Sequence, residues 1–241
     1  MKLAVMQPYL LPYIGYWQLV HAVDTFVLLD DVQYIRHGWI NRNRILKHGG
    51  GWQYIMIPLQ KHAKNELIKN ICAHNDMDWK GKIIRQLAHY GYKKKAPFYG
   101  EVIKFMNETF SKITIEYVTR INEIIIKEVS GYLGISTQIL VSSDQKFNYK
   151  RVQNAGEWAL RIAEEMGAEE YINPIAGAEL FDPSKFHDSK IKLSLLKSNE
   201  IRYDQRTTFE PSLSIVDVLM FNGQQGTKEL LDEYSLRKCN G

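Results

Sequence analysis

The chain has 241 residues, of which 45% are hydrophobic and 24% charged, as is ordinary for a globular domain. Its two cysteines lie far apart and exclude a disulfide framework, and no apolar run reaches the ~18 residues of a membrane span. We therefore expect a cytoplasmic protein without a membrane span or a metal site of its own. The net charge of +4 is modest for a nucleic-acid binder, and an anionic small molecule such as a nucleotide accounts for it as well as a polymer would.

A strand, a helix and a second strand follow one another at the N-terminus. Residues 3–6 are a short apolar run, Pro12 precedes apolar residues at helical spacing over 13–23, and residues 25–29 are apolar and β-branched. In so short a stretch this order predicts a right-handed βαβ unit with parallel strands. The predicted fold class is therefore α/β, with an N-terminal Rossmann-like parallel sheet.

The middle of the chain lacks this alternation. Residues 39–46 and 52–57 flank a glycine-rich turn, which predicts a β-hairpin. Helical spacing without an intervening strand then follows at residues 79–90, 97–110 and 113–133. We predict one α/β domain over residues 1–241, with a helical insertion or lobe at residues 78–134.

Helices and strands alternate again after the insertion. The segments are predicted strands at 137–141, 170–174 and 191–196 and predicted helices at 148–166 and 214–222. Ser214 and Asp217 fit a capping arrangement at the start of the last helix. Because ligands of open α/β sheets bind beyond the carboxyl ends of the strands, residues that follow strands are the first candidates for a site.

The first candidate group follows the first strand. Gln7 and Tyr9 come after it, and Tyr13, Gly15 and Tyr16 begin the helix, where free backbone N–H groups favour a phosphate. The layout resembles nucleotidylyltransferase-type folds, except that tyrosines replace both histidines of their phosphate-binding motif. Tyrosine hydroxyls can donate to a phosphate, so nucleotide binding is one interpretation, and packing of the rings against the sheet is the other.

The second candidate group follows the second strand. Asp30 and Asp31 can bind a divalent metal, accept a hydrogen bond from a sugar or amine, or act as a general base. The alternative is a turn in which they bond to nearby backbone N–H groups. Gln33 in the same segment is a candidate binding residue, and His37 in the next loop is a candidate acid–base residue.

The third candidate group is Trp39, Asn41, Arg42 and Asn43. Strand alternation places both asparagines on one face, where their amides can position hydroxyl or amide groups of a substrate. Arg42 suits a phosphate or carboxylate, and Trp39 offers a face to a sugar or base. An exposed edge strand is the alternative interpretation. Asn173 ends a later strand, and either it reaches the same crevice or it serves a turn.

Long segments of the chain resemble the WbqC-like protein family. The resemblance rests on MQPYLLPYIGYW at 6–17, DDVQY at 30–34 and GWINRN at 38–43, and it continues at 171–174, at Phe209 and Pro211, and at 213–220. Members of that family occur in bacterial gene clusters for surface polysaccharides such as O-antigen, and some are described as glycine transferases.

The resemblance implies a transferase that joins an aminoacyl (glycyl) or acyl group to the amino group of a nucleotide-linked amino sugar. Asp30, Asp31 and His37 would be catalytic, and the other candidates would bind the substrates. The cofactor is either ATP with a divalent metal or, for an activated donor, none. No nucleic acid is expected unless the donor is an aminoacyl-tRNA, and a homo-oligomer is compatible with the sequence. Two alternatives are a nucleotidylyltransferase-like enzyme that uses a nucleoside triphosphate and a non-catalytic sugar-nucleotide binding module.

Overall fold

The computed structural model describes residues 1–239. Its strands are β1 (Lys2–Met6), β2 (Thr25–Leu28), β3 (Arg42–Leu46), β4 (Trp52–Met56), β5 (Gln138–Val141), β6 (Glu170–Pro174), β7 (Lys192–Ser198) and β8 (Tyr234–Lys238). Its helices are α1 (Ile14–His21), α2 (Trp79–Tyr92), α3 (Tyr99–Ser111), α4 (Val118–Leu133), α5 (Ser142–Gln145), α6 (Glu157–Glu165), α7 (Pro183–Asp188) and α8 (Ile215–Leu230). No helix among these residues has the length and apolar character that a membrane span requires.

Six strands form one sheet in the order β5-β2-β1-β6-β7-β8. All neighbours are parallel except β7 and β8, which are antiparallel. Counted along the chain, these strands follow the order 3-2-1-4-5-6 of Rossmann-like folds, in which the direction of strand addition reverses between the first and fourth strands. The predicted fold class is confirmed.

Two hydrophobic cores cover the two faces of the sheet. Alternate residues of the strands point to opposite faces, so Ala4, Phe26 and Leu28 pack with helices α1, α2, α3, α4 and α8 in the larger core. Leu3 and Val27 pack with α6 and α7 in the smaller core. Helices α2, α3 and α4 fill residues 79–133 between β4 and β5, and they belong to the same core as the sheet.

The predicted hairpin is confirmed as the two-stranded antiparallel sheet β3–β4, with Arg42 opposite Met56. Two helix starts were wrong, and so was the end of α8, which runs to Leu230 rather than to residue 222. Helix α6 begins at Glu157 rather than at residue 148, because Asn154 accepts a bond from the Gly156 N–H in a turn before it. Helix α4 begins at Val118 rather than at 113. Strand β8 was not predicted, because its side chains are largely exposed and show no apolar alternation.

Candidate functional site

The sheet opens at its carboxyl edge between β1 and β6. The β1–β6 ladder ends at Leu3 and Tyr171, whereas β1 stays paired with β2 as far as Met6 and β6 with β7 as far as Pro174. Beyond the last paired residues, the Tyr171 hydroxyl lies 3.4 Å from the Val5 carbonyl oxygen. The strands therefore separate where the sheet order reverses, which is where Rossmann-like folds bind their ligands.

Gln7 and Asn173 lie at this opening. The Gln7 side chain is half-buried and forms no hydrogen bond within the described residues. Asn173 is buried, accepts a hydrogen bond from the Tyr171 hydroxyl at 3.1 Å and donates to the Pro174 carbonyl at 3.0 Å. Of the two predicted binding residues, Gln7 therefore has a free amide, and the Asn173 amide is engaged by its own strand.

Asp30 is held by the helix that follows β5. Its carboxylate accepts hydrogen bonds from the Ser142 hydroxyl at 2.9 Å and from the Ser143 N–H and hydroxyl, both at 3.0 Å. Burial raises the pKa of Asp30 above its ordinary value, and the serine bonds partly offset this. These contacts join the end of β2 to the end of β5, so they give Asp30 a structural role.

Asp31 lies between an ammonium and a phenol. One carboxylate oxygen accepts a hydrogen bond from Lys69 Nζ at 2.9 Å and the other from the Tyr149 hydroxyl at 3.0 Å. The Asp31 bond raises the pKa of Lys69, and burial followed by the Asp31 charge raises the pKa of Tyr149. Both partners are therefore protonated at neutral pH. The Asp31 side chain keeps 11% exposure and the Lys69 side chain 38%, so solvent reaches this group.

Lys69 and Tyr149 were absent from the predicted site. They lie 38 and 118 residues from Asp31 along the chain, and neither follows a predicted strand. Lys69 also lines a depression of about 300 Å³ together with Asp30, Ser143 and Arg120. Asp30 thus lines this depression next to the cations of Lys69 and Arg120, and Asp31 contacts it only through Lys69.

Tyr16 is part of the core rather than of an open phosphate site. It is 1% exposed, and its hydroxyl donates to the Gln7 carbonyl at 3.0 Å. Gly15 leaves room for a neighbour, because an added Cβ would lie 2.5 Å from the Tyr13 ring. The glycine thus allows Tyr13 to fold back over the start of α1, and direct approach of a ligand is not needed to explain it.

The loop between β1 and α1 lines a second depression, which we call the aromatic cleft. It has a volume of about 220 Å³ and is formed by Tyr9, Pro12, Tyr13, Trp39, Asn43, Arg44 and Ser212. Burial raises the pKa of Tyr9 and of Tyr13, so both hydroxyls are protonated and can donate at neutral pH. An adjoining depression of about 420 Å³ shares Tyr13 and Ser212 and continues along residues 198–202. Small-molecule sites typically have about 300–1,000 Å³.

Arg44 is the cation of the aromatic cleft. Its guanidinium carbon lies 5.4 Å from the Trp39 ring centroid and 5.2 Å from that of Trp52, and Nη2 donates to the Ser212 carbonyl at 3.3 Å. Its Nε is buried and has no acceptor among the described residues. The positive charge that lines the cleft is therefore that of Arg44, whereas the sequence had pointed to Arg42.

Arg42 and the two asparagines hold the loops around the cleft. Arg42 donates to the Gly38 carbonyl at 3.2 Å and lies 4.3 Å over the Tyr54 ring. Asn41 accepts a hydrogen bond from Tyr34 at 2.9 Å and donates to the Ile57 carbonyl at 3.0 Å. Asn43 donates to the carbonyls of Leu10 and Leu11 at 2.8 and 2.9 Å. The predicted shared face is confirmed, but it points into the protein.

His37 and Gln33 lie on the exposed segment after Asp31. His37 has a left-handed backbone with φ of 64° and an exposed side chain. Gln33 is exposed and donates to the Lys64 carbonyl at 3.1 Å. The structure brings neither side chain into the aromatic cleft or against the Asp31 carboxylate.

A buried carboxylate lies next to the cleft region. Asp217 is 0% exposed and accepts hydrogen bonds from the Tyr90 and Tyr203 hydroxyls, both at 2.6 Å, and from Gln205 at 2.8 Å. Burial raises its pKa to about 6. Ser214 caps the helix as predicted, since its hydroxyl accepts a hydrogen bond from the Val216 N–H, whereas the Asp217 side chain bonds to Tyr90, Tyr203 and Gln205 instead of to the cap.

The described residues offer no dedicated set of ligands for a divalent metal. Within residues 1–239 no three His, Cys, Asp or Glu side chains gather in a way that would hold a metal ion. The carboxylates of Asp30 and Asp31 are already engaged by serine, lysine and tyrosine groups.

A still larger depression of about 710 Å³ lies at the amino end of β7, away from the strand ends that carry the candidate residues.

Fold and site together define a Rossmann-like α/β protein whose polar and aromatic groups converge on the carboxyl edge of the sheet. The chain belongs to the WbqC-like protein family, whose sequence profile matches residues 7–229. It is similar to an uncharacterized protein of Mycobacterium tuberculosis, with 28% identity over 223 residues that cover 92% of this chain and 93% of that protein. No solved structure matches the chain.

Proposed function

We propose that the protein transfers an aminoacyl or acyl group to the amino group of a nucleotide-linked amino sugar. The observation that carries this proposal is the position of Asp31, a solvent-reachable carboxylate between Lys69 Nζ and the Tyr149 hydroxyl at the carboxyl edge of the sheet. A base beside a protonated donor is what amide formation from an activated carboxyl requires.

Each group has a role in the proposed reaction. The sugar amine attacks the activated carboxyl carbon, a C–N bond forms, and the bond to the leaving group breaks. Asp31 accepts the proton that the amine loses and passes it to the leaving group. Lys69, whose ammonium has further N–H groups besides the one bonded to Asp31, donates to the carbonyl oxygen as negative charge develops on it, and the Tyr149 hydroxyl holds the Asp31 carboxylate in place.

The aromatic cleft supplies recognition in this proposal. The rings of Tyr13 and Trp39 offer flat apolar surfaces to a sugar or base, and the Arg44 guanidinium offers a positive charge to a phosphate. The resemblance implies that family members occur in gene clusters for surface polysaccharides. This occurrence supports a sugar-nucleotide substrate. The donor is either a free acid with ATP and a divalent metal or an already activated acyl group, and no step is assigned to the metal.

The test is product formation followed by mass spectrometry. The protein is incubated with nucleotide-linked amino sugars and with their hydroxyl counterparts, each with glycine plus ATP and magnesium or with an activated acyl donor. We expect a mass increase equal to one acyl group on the amino sugars alone. Pyrophosphate release with transfer of a nucleotidyl group would replace the proposal with nucleotidyl transfer, and binding without product under any donor would replace it with a binding module.

Two substitutions at opposite ends of β2 test the role of Asp31. Asp31→Asn removes the base and is expected to lower turnover by about 10²–10⁴-fold. Asp24→Asn changes a carboxylate at the amino end of the same strand, where it accepts a hydrogen bond from the Lys2 N–H, and is expected to leave turnover unchanged. Equal turnover in the two variants would remove Asp31 from the chemistry.

A further inference from the structure

Charge is distributed unevenly along the chain. Residues 32–65 contain six lysines and arginines, Arg36, Arg42, Arg44, Lys47, Lys61 and Lys64, and no aspartate or glutamate. The remainder of the chain therefore carries a net negative formal charge, although the whole is +4. The modest total, from which we expected no nucleic acid partner, conceals a basic segment that contains the entire β3–β4 hairpin.

The outer side of this hairpin, which we call the hairpin face, joins cations with aromatic rings. Register places Arg42 opposite Met56 and Arg44 opposite Tyr54, so these side chains share one face. The guanidinium of Arg42 lies over Tyr54, and that of Arg44 lies against Trp52. Trp52 is 39% and Met56 45% exposed, so the hairpin face presents large apolar side chains to solvent.

The cations of the basic segment have no carboxylate partners. Within the described part of the chain, none of its lysines or arginines forms an ion pair, whereas Lys69 just beyond it pairs with Asp31. Arg42 and Arg44 donate only to backbone carbonyls, which leaves their charge uncompensated. Gln86 of α2 donates to the Tyr54 carbonyl at 3.0 Å, so the helix that precedes the lysine run at residues 93–95 packs against the hairpin.

We propose that the hairpin face binds a single-stranded polynucleotide, with bases stacked on Trp52 and Tyr54 and phosphates against the surrounding cations. Alternating rings and cations on an open surface are the features by which proteins bind single strands without reading their sequence. We favour a polynucleotide over an acidic polysaccharide, because every base presents a planar π face to Trp52 and Tyr54 and a saturated sugar ring presents none. Arg44 belongs to both surfaces, so a bound strand lies beside the aromatic cleft.

The test is fluorescence anisotropy of labelled single strands of about 15 nucleotides, as RNA and as DNA, with the full chain. We expect affinity to fall as salt rises from about 50 to 200 mM, because phosphate contacts release counterions. Trp52→Ala is expected to weaken binding by about five- to a hundredfold with the salt slope unchanged, and Trp52→Phe to restore most of it. Lys47→Gln is expected to reduce the slope by about 0.7.

Lys197→Gln is the matched control, because this lysine is exposed on β7 outside the basic segment. Circular dichroism confirms that each variant is folded. Tighter binding of RNA than of DNA would identify RNA as the natural strand. Equal binding of the two would support recognition through the phosphates and bases that they share. The proposal is overturned if neither strand binds at the lower salt, if Trp52→Ala and Lys47→Gln behave like Lys197→Gln, or if an acidic polysaccharide binds in place of both strands. It does not depend on the proposed transferase reaction, since Asp31 and Tyr149 lie outside the hairpin face.

Discussion

Asp217 makes the stability of the protein depend on pH in an unusual direction. This fully buried carboxylate accepts hydrogen bonds from Tyr90, Tyr203 and Gln205, which connect α2 and the segment before α8. Burial outweighs those bonds and raises the pKa from 3.8 to about 6. The native state therefore binds the Asp217 proton more tightly than the unfolded chain does.

The sign and size of the effect follow from this difference. A group whose pKa is raised on folding contributes stability that is fully present below its unfolded pKa and is lost as pH rises through its folded pKa. The window for Asp217 therefore runs from about pH 4 to about pH 6. A shift of about two pKa units corresponds to about 3 kcal/mol of unfolding free energy.

Urea unfolding of the natural protein and of Asp217→Asn between about pH 4 and 7 measures this contribution. Carboxylates whose pKa is lowered, such as Asp78 and Asp144, act in both proteins and cancel in the difference. We expect the stability of the natural protein relative to the variant to fall by about 3 kcal/mol across the window. Asp204→Asn, at an exposed carboxylate nearby, controls for the loss of one charge. A flat difference for Asp217→Asn would refute the reasoning.

Two further predictions concern packing. Gly156→Ala would place a Cβ 1.8 Å from the Leu180 carbonyl oxygen, so we expect a loss of about 1–3 kcal/mol or more in urea unfolding, whereas Gly100→Ala, with no atom within 4 Å, should be neutral or stabilising by about 0.5–1 kcal/mol. Equal effects of the two would contradict the packing argument. Asn122→Ala would remove two 2.8 Å bonds to backbone carbonyls and should cost about 2 kcal/mol or more in the same assay, and an unchanged midpoint would show that water replaces them.

The fold was predictable where local pattern and tertiary contacts agree. The strand at Glu170–Pro174 was predicted with its observed bounds, because β-branched and aromatic residues there end in a proline. The start of α4 was not, because residues 113–117 continue an apolar pattern yet Tyr117 pairs with Cys72 in an extended bridge. Strand β8 exists through its pairing with β7, which no local pattern of its exposed residues reveals.

The candidate site was predictable as a location and less so as a set of residues. Position after a strand correctly located Gln7 and Asp31 at the carboxyl edge of the sheet. Side-chain type alone could not show that Asn41 and Asn43 spend their amides on neighbouring backbone carbonyls. Nor could it find Tyr149, because its contact with Asp31 depends on how the second half of the chain folds back.

The short ladder between β1 and β6 divides the sheet into two halves. Fewer residues pair between the halves than between the neighbouring strands within each half. Within each half the strands stay paired up to the carboxyl edge, but the pairing between β1 and β6 stops at Leu3 and Tyr171. Local opening of the sheet is therefore expected to begin between β1 and β6, where backbone amides should exchange with solvent faster than those of the flanking ladders. A ligand that bridged Gln7 and the end of β6 would occupy the place of the missing rungs, and it would join the two halves as a backbone hydrogen bond does elsewhere in the sheet.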